Sequence, residues 1–431
     1  MTGVPATIGT ARNAHAATVA AITPSLVRFA VQPPLLIASH SPAEARTLVS
    51  NPLPDVPDAL ISDDMEKYRL TPLARSLPAT VPFVGPEAQE RANGRHFDAR
   101  LGANENVFGP SPRATEAMAT CDQWMYGDPE SHDLRAALAD HHGTTPDHII
   151  VGEGIDGLLN YLVRLFVGPG DAVVTSDGAY PTFNYHVAGF GGVLHKVPYR
   201  DDHESPAALF AKAAEVDAKL VYLSNPDNPM GTWHKGQQIS QAMDALPAGT
   251  LLCLDEAYIE CAPEDAALPL DYSDPRVIRM RTFSKVYGMA GARVGYAIAA
   301  PDLITAFHKV RNHFGMNRAA QAGALAAVQD AGWLTHVQQE IATARTRIAE
   351  IALTHGLKPL PSAANFVAID CGRDGAFARA VLEGLVARGI FVRMPFVAPQ
   401  DRCIRVSCGT SADLDAFAAA LPDALKDAKR G

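Results

Sequence analysis

His148–Phe166 reads HIIVGEGIDGLLNYLVRLF. After its histidine the first part is apolar and ends on Gly152, the pattern of a short buried strand. From Ile155 onward apolar residues recur at Leu158, Leu159, Leu162, Val163 and Phe166, which lie on one face of a helix. Between the two runs Glu153-Gly154-Ile155-Asp156-Gly157 makes a glycine turn. A strand that turns through glycine into a helix points free N–H groups and a positive dipole end outward, where a phosphate can sit. The same junction also serves as a plain connection. The rest of the chain has to decide between the two.

Downstream the pattern repeats. Ala172–Ser176, Lys219–Ser224, Leu251–Leu254, Val277–Met280 and Val294–Ala299 read as further buried strands, most of them separated by helical segments. That is an α/β large domain with a mostly parallel central sheet flanked by helices. Gly154, Tyr180, Asn228, Asp255, Tyr258 and Lys285 fall at or just past the C-terminal ends of strands, the edge where open α/β sheets bind ligands. Upstream, Asp98–Pro112 (DARLGANENVFGPSP) is broken by Gly and Pro and reads as a polar loop, and Asp133–His142 as a helix. After Pro301 helices are expected over Leu303–His313 and Ala319–Ile351. Short strands follow at Phe366–Asp370, Ile390–Arg393 and Cys403–Ser407, with helices at Gly375–Arg388 and Asp413–Ala424. This is a smaller α+β domain. The expected divisions are a leader over 1–64, an N-terminal arm over 65–100, a large domain over 101–302 and a small domain over 303–431.

The leader stands apart because it has no lysine and Phe29 as its sole aromatic, and is rich in Ala and Pro. It is expected to lie outside the fold, with Met65 as a candidate start. A chain of 431 residues that is 47% hydrophobic and 19% charged can build a large core. Its net charge of -10 argues against a nucleic-acid surface, and no apolar run is long enough for a membrane span. Cys121, Cys253, Cys261, Cys371, Cys403 and Cys408 form no CxxC pair and no zinc spacing, which points to scattered thiols in a reducing, cytoplasmic compartment and to no metal.

Thr282–Tyr296 (TFSKVYGMAGARVGY) carries the most chemistry. A lysine among small and polar residues, Lys285, can form a Schiff base, and Ser284 and Arg293 can hold a phosphate. Together with GANENVFGPSP, YGDPESHDLR, VGEGIDGLL, DGAYPTF, SNPDNPMGT, LDEAYIE and IRVSCGT, in that order along the chain, this string resembles the fold-type I pyridoxal-phosphate enzymes. Within them it is most similar to the class I/II aminotransferases of the histidinol-phosphate group. The resemblance runs from about Leu77 to the C-terminus.

The resemblance implies pyridoxal 5'-phosphate as cofactor, with Lys285 as Schiff-base lysine and catalytic base. It implies Asp255 on the ring nitrogen, Asn228 and Tyr258 on the ring's 3′ oxygen, and Tyr180 stacked on the ring. Gly154, Ile155, Asp156, Ser284 and Arg293 would hold the phosphate. Tyr126 would reach the neighbouring site in a homodimer. Arg405 would clamp the substrate carboxylate, with Arg393, Asn106 and Phe83 as further substrate contacts. The implied reaction moves an amino group from an amino acid or a histidinol-phosphate-like ester to a 2-oxo acid, 2-oxoglutarate above all. An aromatic aminotransferase, a phosphothreonine-type decarboxylase and a non-enzymatic ligand-sensing domain are the other readings. The sequence departs from relatives at Ile155 and Gly157, at Asp227 and Met230, and at Phe83, where many relatives carry a phosphate-binding tyrosine.

Overall fold

The computed structural model describes residues 68–79, 84–269 and 271–430. The expected leader, the Met65 start and Phe83 lie outside them. The described residues form twelve strands: β1 (Ala99–Arg100), β2 (Ile149–Gly152), β3 (Ala172–Ser176), β4 (Val193–Val197), β5 (Leu220–Ser224), β6 (Leu251–Asp255), β7 (Val277–Thr282), β8 (Gly295–Ile298), β9 (Lys358–Pro359), β10 (Phe366–Asp370), β11 (Ile390–Phe391) and β12 (Cys403–Ser407). Seven make one sheet in the order β2-β8-β7-β6-β5-β3-β4. All its pairings are parallel except those of β8 with β2 and with β7. Strands buried on both faces read as continuous apolar runs, which is why β5 and β6 are legible from sequence.

The helix over Gly154–Phe166 packs its apolar face into the cluster that contains Leu158, Leu159, Leu162 and Val163 beside Phe183, Tyr222 and Met280. The C-terminal sheet is β12-β10-β9 and is antiparallel, with Phe366 opposite Ser407 and Asp370 opposite Cys403. The helices Ala331–Thr354, Gly375–Ala387 and Ser411–Ala428 cover it, and Ile341, Phe377, Val381 and Phe417 are shared in its core. No helix among the described residues is long and apolar enough to cross a membrane.

Several details differ from the sequence reading. β1 falls inside Asp98–Pro112, read as a loop, and β9 was not expected; two-residue strands are too short to leave an alternating pattern. Strand β4 was not expected. It is an edge strand with Val193 and Lys196 exposed, so it lacks the apolar run that marks its neighbours. The single long helix over Ala319–Ile351 is two, Arg318–Val328 and Ala331–Thr354. Asp330 breaks it by accepting from Trp333 N at 3.3 Å as a new N-cap, while its other oxygen takes the Ser111 hydroxyl at 2.5 Å. The helix after Pro301 stops at Phe307.

Packing also mixes the two expected domains. The helices Pro301–Phe307 and Arg318–Val328 pack on elements of the large sheet's side, while β1 pairs in parallel with β11.

Candidate active site

The C-terminal edge of the large sheet and the C-terminal layer enclose a cavity of about 500 Å³. After β2 it receives Ile155 and Asp156, and after β3 Tyr180. Asn228 follows β5, Asp255 ends β6 and Tyr258 follows it. Ser284, Lys285 and Arg293 come from the stretch between β7 and β8. Arg393 and Arg405 enter from the opposite side, where their backbones pair across one bridge.

Burial, and then the Arg405 guanidinium, brings Lys285 down to about 8, with Asp156 and Asp255 opposing. Its Nζ donates to the Asn104 carbonyl oxygen at 3.2 Å and lies 5.4 Å from the centre of the Tyr258 ring. Asp255 is buried at the end of β6. Burial pushes its carboxyl up to about 6, against hydrogen bonds from the Tyr222 hydroxyl at 2.5 Å and from Ala257 N at 2.9 Å. The Tyr258 hydroxyl accepts from Asn104 Nδ2 at 3.0 Å and from Asn228 Nδ2 at 3.3 Å. Tyr180 immediately precedes the helix Pro181–Gly189, and its hydroxyl donates to Asp156 at 2.9 Å.

The turn of VGEGIDGLL is shaped for an anion. Gly154 takes φ +77°, and a Cβ there would meet Arg293 Nη2 at 2.5 Å, so glycine lets that guanidinium lie over the helix start. Arg293 Nη1 donates to Ser284 Oγ at 3.3 Å, and Nη2 is 3.5 Å from Asp156. Hydroxyl and guanidinium from the β7–β8 connection thus converge on the helix N-terminus after β2.

Across the cavity Arg405 donates to Asn228 Oδ1 at 2.5 Å and to the Gly102 carbonyl at 3.0 Å, and its Nε is buried with no hydrogen-bond partner among the described residues. Burial lowers its pKa, and burial together with Arg405 lowers that of Arg393 to about 10. Two guanidiniums crowded in this way favour an anion between or beside them.

Other expected residues lie elsewhere. Asn106 does not line the cavity. Its amide donates to the Val286 carbonyl at 2.8 Å and its oxygen accepts from Phe108 N at 3.0 Å, an Asx turn that holds its own loop. The residue two positions earlier takes the inward place. Asn104 is 2% exposed, at φ +55°, and bridges Ser407, Tyr258 and Lys285. Tyr126 is 79% exposed and packs on Phe314 at 4.9 Å between ring centres, outside this chain's cavity. Asn104 and Tyr222 are the residues that sequence reasoning missed. A tyrosine inside the otherwise aliphatic β5, on the same face as Ser224, was the available signal for the second.

The aminotransferase class I and II family model matches residues 99–421. Histidinol-phosphate aminotransferase 1 of Mesorhizobium japonicum is 36% identical over 334 residues, 76% of this chain and 90% of that protein. An aromatic amino acid aminotransferase of Rhodococcus jostii is also 36% identical, over 81% of this chain and 95% of that protein. Among solved structures, histidinol-phosphate aminotransferase from Sinorhizobium meliloti in complex with pyridoxal-5'-phosphate superposes with a TM-score of 0.81. It is 54% identical and covers 83% of this chain and 98% of that one. The chain is therefore a transaminase of the aminotransferase class I and II family, close to its histidinol-phosphate aminotransferase group.

Proposed function

We propose that the protein binds pyridoxal 5'-phosphate and moves an amino group from a histidinol-phosphate-like amino phosphate ester, or an amino acid, to 2-oxoglutarate. The observation that carries this is the convergence of a depressed lysine, Lys285, with the Ser284–Arg293 anion seat and the paired arginines Arg393 and Arg405 in one cavity. The residues fit the cofactor: glycine at Gly154 lets the Arg293 guanidinium lie over the helix start beside the Ser284 hydroxyl, a seat for its phosphate.

When bound, the cofactor supplies an electron sink for the pair left as the substrate Cα loses its proton. Lys285 Nζ takes that proton, and a value near 8 leaves part of it unprotonated at neutral pH. The Asp255 carboxylate, buried at the end of β6, would hold a proton on the cofactor's ring nitrogen. Tyr180 would cover one face of the ring, and Tyr258 and Asn228 would hold its 3′ oxygen. Arg405 takes a substrate carboxylate and Arg393 a second anion.

The active unit is a homodimer of the cytoplasm in which Tyr126 completes the site of the second copy. The exposed rings of Trp124, Tyr126 and Phe314 support such a surface, and the free cysteines suit a reducing compartment.

A half-reaction panel tests the reading. Cofactor-loaded protein mixed with histidinol phosphate should lose its visible absorbance as the amino form accumulates, and 2-oxoglutarate should restore it. No change with any donor overturns transamination. Conversion by phenylalanine but not by histidinol phosphate selects the aromatic reading, which the Rhodococcus relative favours.

A further inference from the structure

Two carboxyls, Asp227 in the loop Asn225–Gly231 and Glu204 against the adjoining end of β5, have no role in the chemistry above. Glu204 and Asp227 are each 2% exposed. Glu204 accepts from the Ser176 hydroxyl at 2.6 Å and from Ser224 N at 2.9 Å. Asp227 accepts from the Tyr199 hydroxyl at 2.8 Å and from Met230 N at 2.8 Å. The two carboxyls act on each other's proton affinity, and Asp227 raises that of Glu204. Burial and this repulsion oppose charge on both at once, so the pair holds one proton more readily than none. Among the described residues no lysine or arginine lies within ion-pair distance of either.

Asp227 has a second set of bonds. Its N donates to the Thr232 carbonyl at 2.8 Å, and its own carbonyl accepts from Gly231 N at 3.1 Å. With Met230 N also tied to its carboxylate, the short span Asn228–Pro229 is held at both ends. Asn228 accepts from Arg405 and donates to Tyr258.

We propose that Asp227 and Glu204 form a proton-sharing pair that positions Asn228 between Tyr258 and Arg405. Asp227 is a positioning residue, since it touches neither substrate nor cofactor. Glu204 keeps the shared proton, because burial and the neighbouring Asp227 raise it well above the carboxylate range. Burial brings Asp227 up to about 6, with Met230 N and Tyr199 lowering it. The groups that face the pair are Tyr199, His203, Asp177, the His234 ring on the Glu204 carbonyl, and Arg405, toward which Asp227 supplies negative charge.

This inference rests on the proposed transaminase reading for its kinetic arm alone. Asp227→Leu removes the side-chain bonds to Met230 N and Tyr199 while the backbone bonds remain, and Asp227→Asn keeps an acceptor for Met230 N without the charge. In Asp227→Leu the pH midpoint of the visible absorbance of the cofactor-loaded protein should move upward by roughly half a unit or more, because donors at the 3′ oxygen favour its anionic form. KM for the amino donor should rise more than kcat falls, and Asp227→Asn should recover both.

A separate arm uses apoprotein and no substrate. A raised carboxyl weakens the fold as pH climbs from its unfolded value through its folded one. The melting temperature of Asp227→Asn relative to wild type should therefore rise between pH 4 and about 7. An unshifted absorbance midpoint in Asp227→Leu, or a midpoint in Asp227→Asn displaced as far as in Asp227→Leu, overturns the positioning role. A pH-independent difference in melting temperature overturns the shared proton. If no donor is converted by wild type, the functional reading fails while the melting arm still judges the pair.

Discussion

Lys285 Nζ donates to the backbone carbonyl oxygen of Asn104 at 3.2 Å. That oxygen also accepts from Asn365 Nδ2 at 3.0 Å, so it is fixed before the lysine reaches it. Asn104 sits at φ +55°, a conformation that costs most residues about 1 kcal/mol or more and asparagine less. Its side chain donates to Tyr258 and accepts from Ser407, both at 3.0 Å. One residue thus parks the lysine amine with its backbone and orients the Tyr258 hydroxyl with its side chain.

Asn104→Ala should lower stability by about 2–4 kcal/mol, from left-handed strain and the loss of two buried hydrogen bonds. Asn104→Gly relieves the strain alone and should recover part of this. Urea denaturation of the two variants checks the order, and equal losses would refute the role of strain.

The lysine's own titration can be read without substrate. In apoprotein, pH-dependent acetylation of Lys285, followed by mass spectrometry, should show a midpoint near 8. Burial is the larger cause and Arg405 the next, so Arg405→Gln should move the midpoint upward. An unchanged midpoint would mean that burial alone sets it.

Much of this site was legible in the sequence because its parts hang on strand ends. Apolar runs locate β5, β6 and β7, and the residues at or just past their ends, Asn228, Asp255 and Lys285, must then share one edge. The choice between Asn104 and Asn106 was not legible. In NEN both have the chemistry, and the outcome depends on a left-handed backbone and on Ser407, which is 303 residues away. Tyr126 shows the opposite limit: its ring faces out of its own chain, so the fold of one copy gives it no place in the cavity. Strand β4 and the break at Asp330 escaped because an edge strand and an N-cap leave weak periodic traces.

Arg405→Lys should raise KM for amino-acid donors by roughly 10- to 100-fold, about 1.5–3 kcal/mol, because an ammonium cannot give a planar fork to a carboxylate. It also loses the paired bonds to Asn228 and Gly102. Steady-state kinetics on one donor decides it. Arg393→Gln should instead act on phosphate-bearing donors more than on phenylalanine.

Behind the site, Glu256 accepts from Arg279 Nη2 at 2.7 Å and from Arg281 Nε at 2.9 Å, all three groups being buried. Burial pushes the Glu256 carboxyl up, but the two guanidiniums outweigh it and hold the group below the usual range. Glu256→Ala leaves both cations unpaired and should lower stability by about 3–5 kcal/mol. Glu260 is the reverse case. Both its oxygens are buried without a hydrogen-bond partner among the described residues, Arg281 Nη1 is 3.7 Å away, and burial lifts its carboxyl to about 7. The signs therefore oppose. The Glu256 contribution is full above its unfolded value of about 4.3 and is lost as pH falls through its lower folded value. The Glu260 carboxyl weakens the fold increasingly as pH rises from about 4.3 through about 7. Glu260→Gln should gain on wild type between pH 5 and pH 8, while the deficit of Glu256→Gln should stay level over that range and shrink only in acid. Urea titrations at pH 3.5, 5 and 8 separate the two, and a deficit for Glu256→Gln that grows in acid would break the assignment.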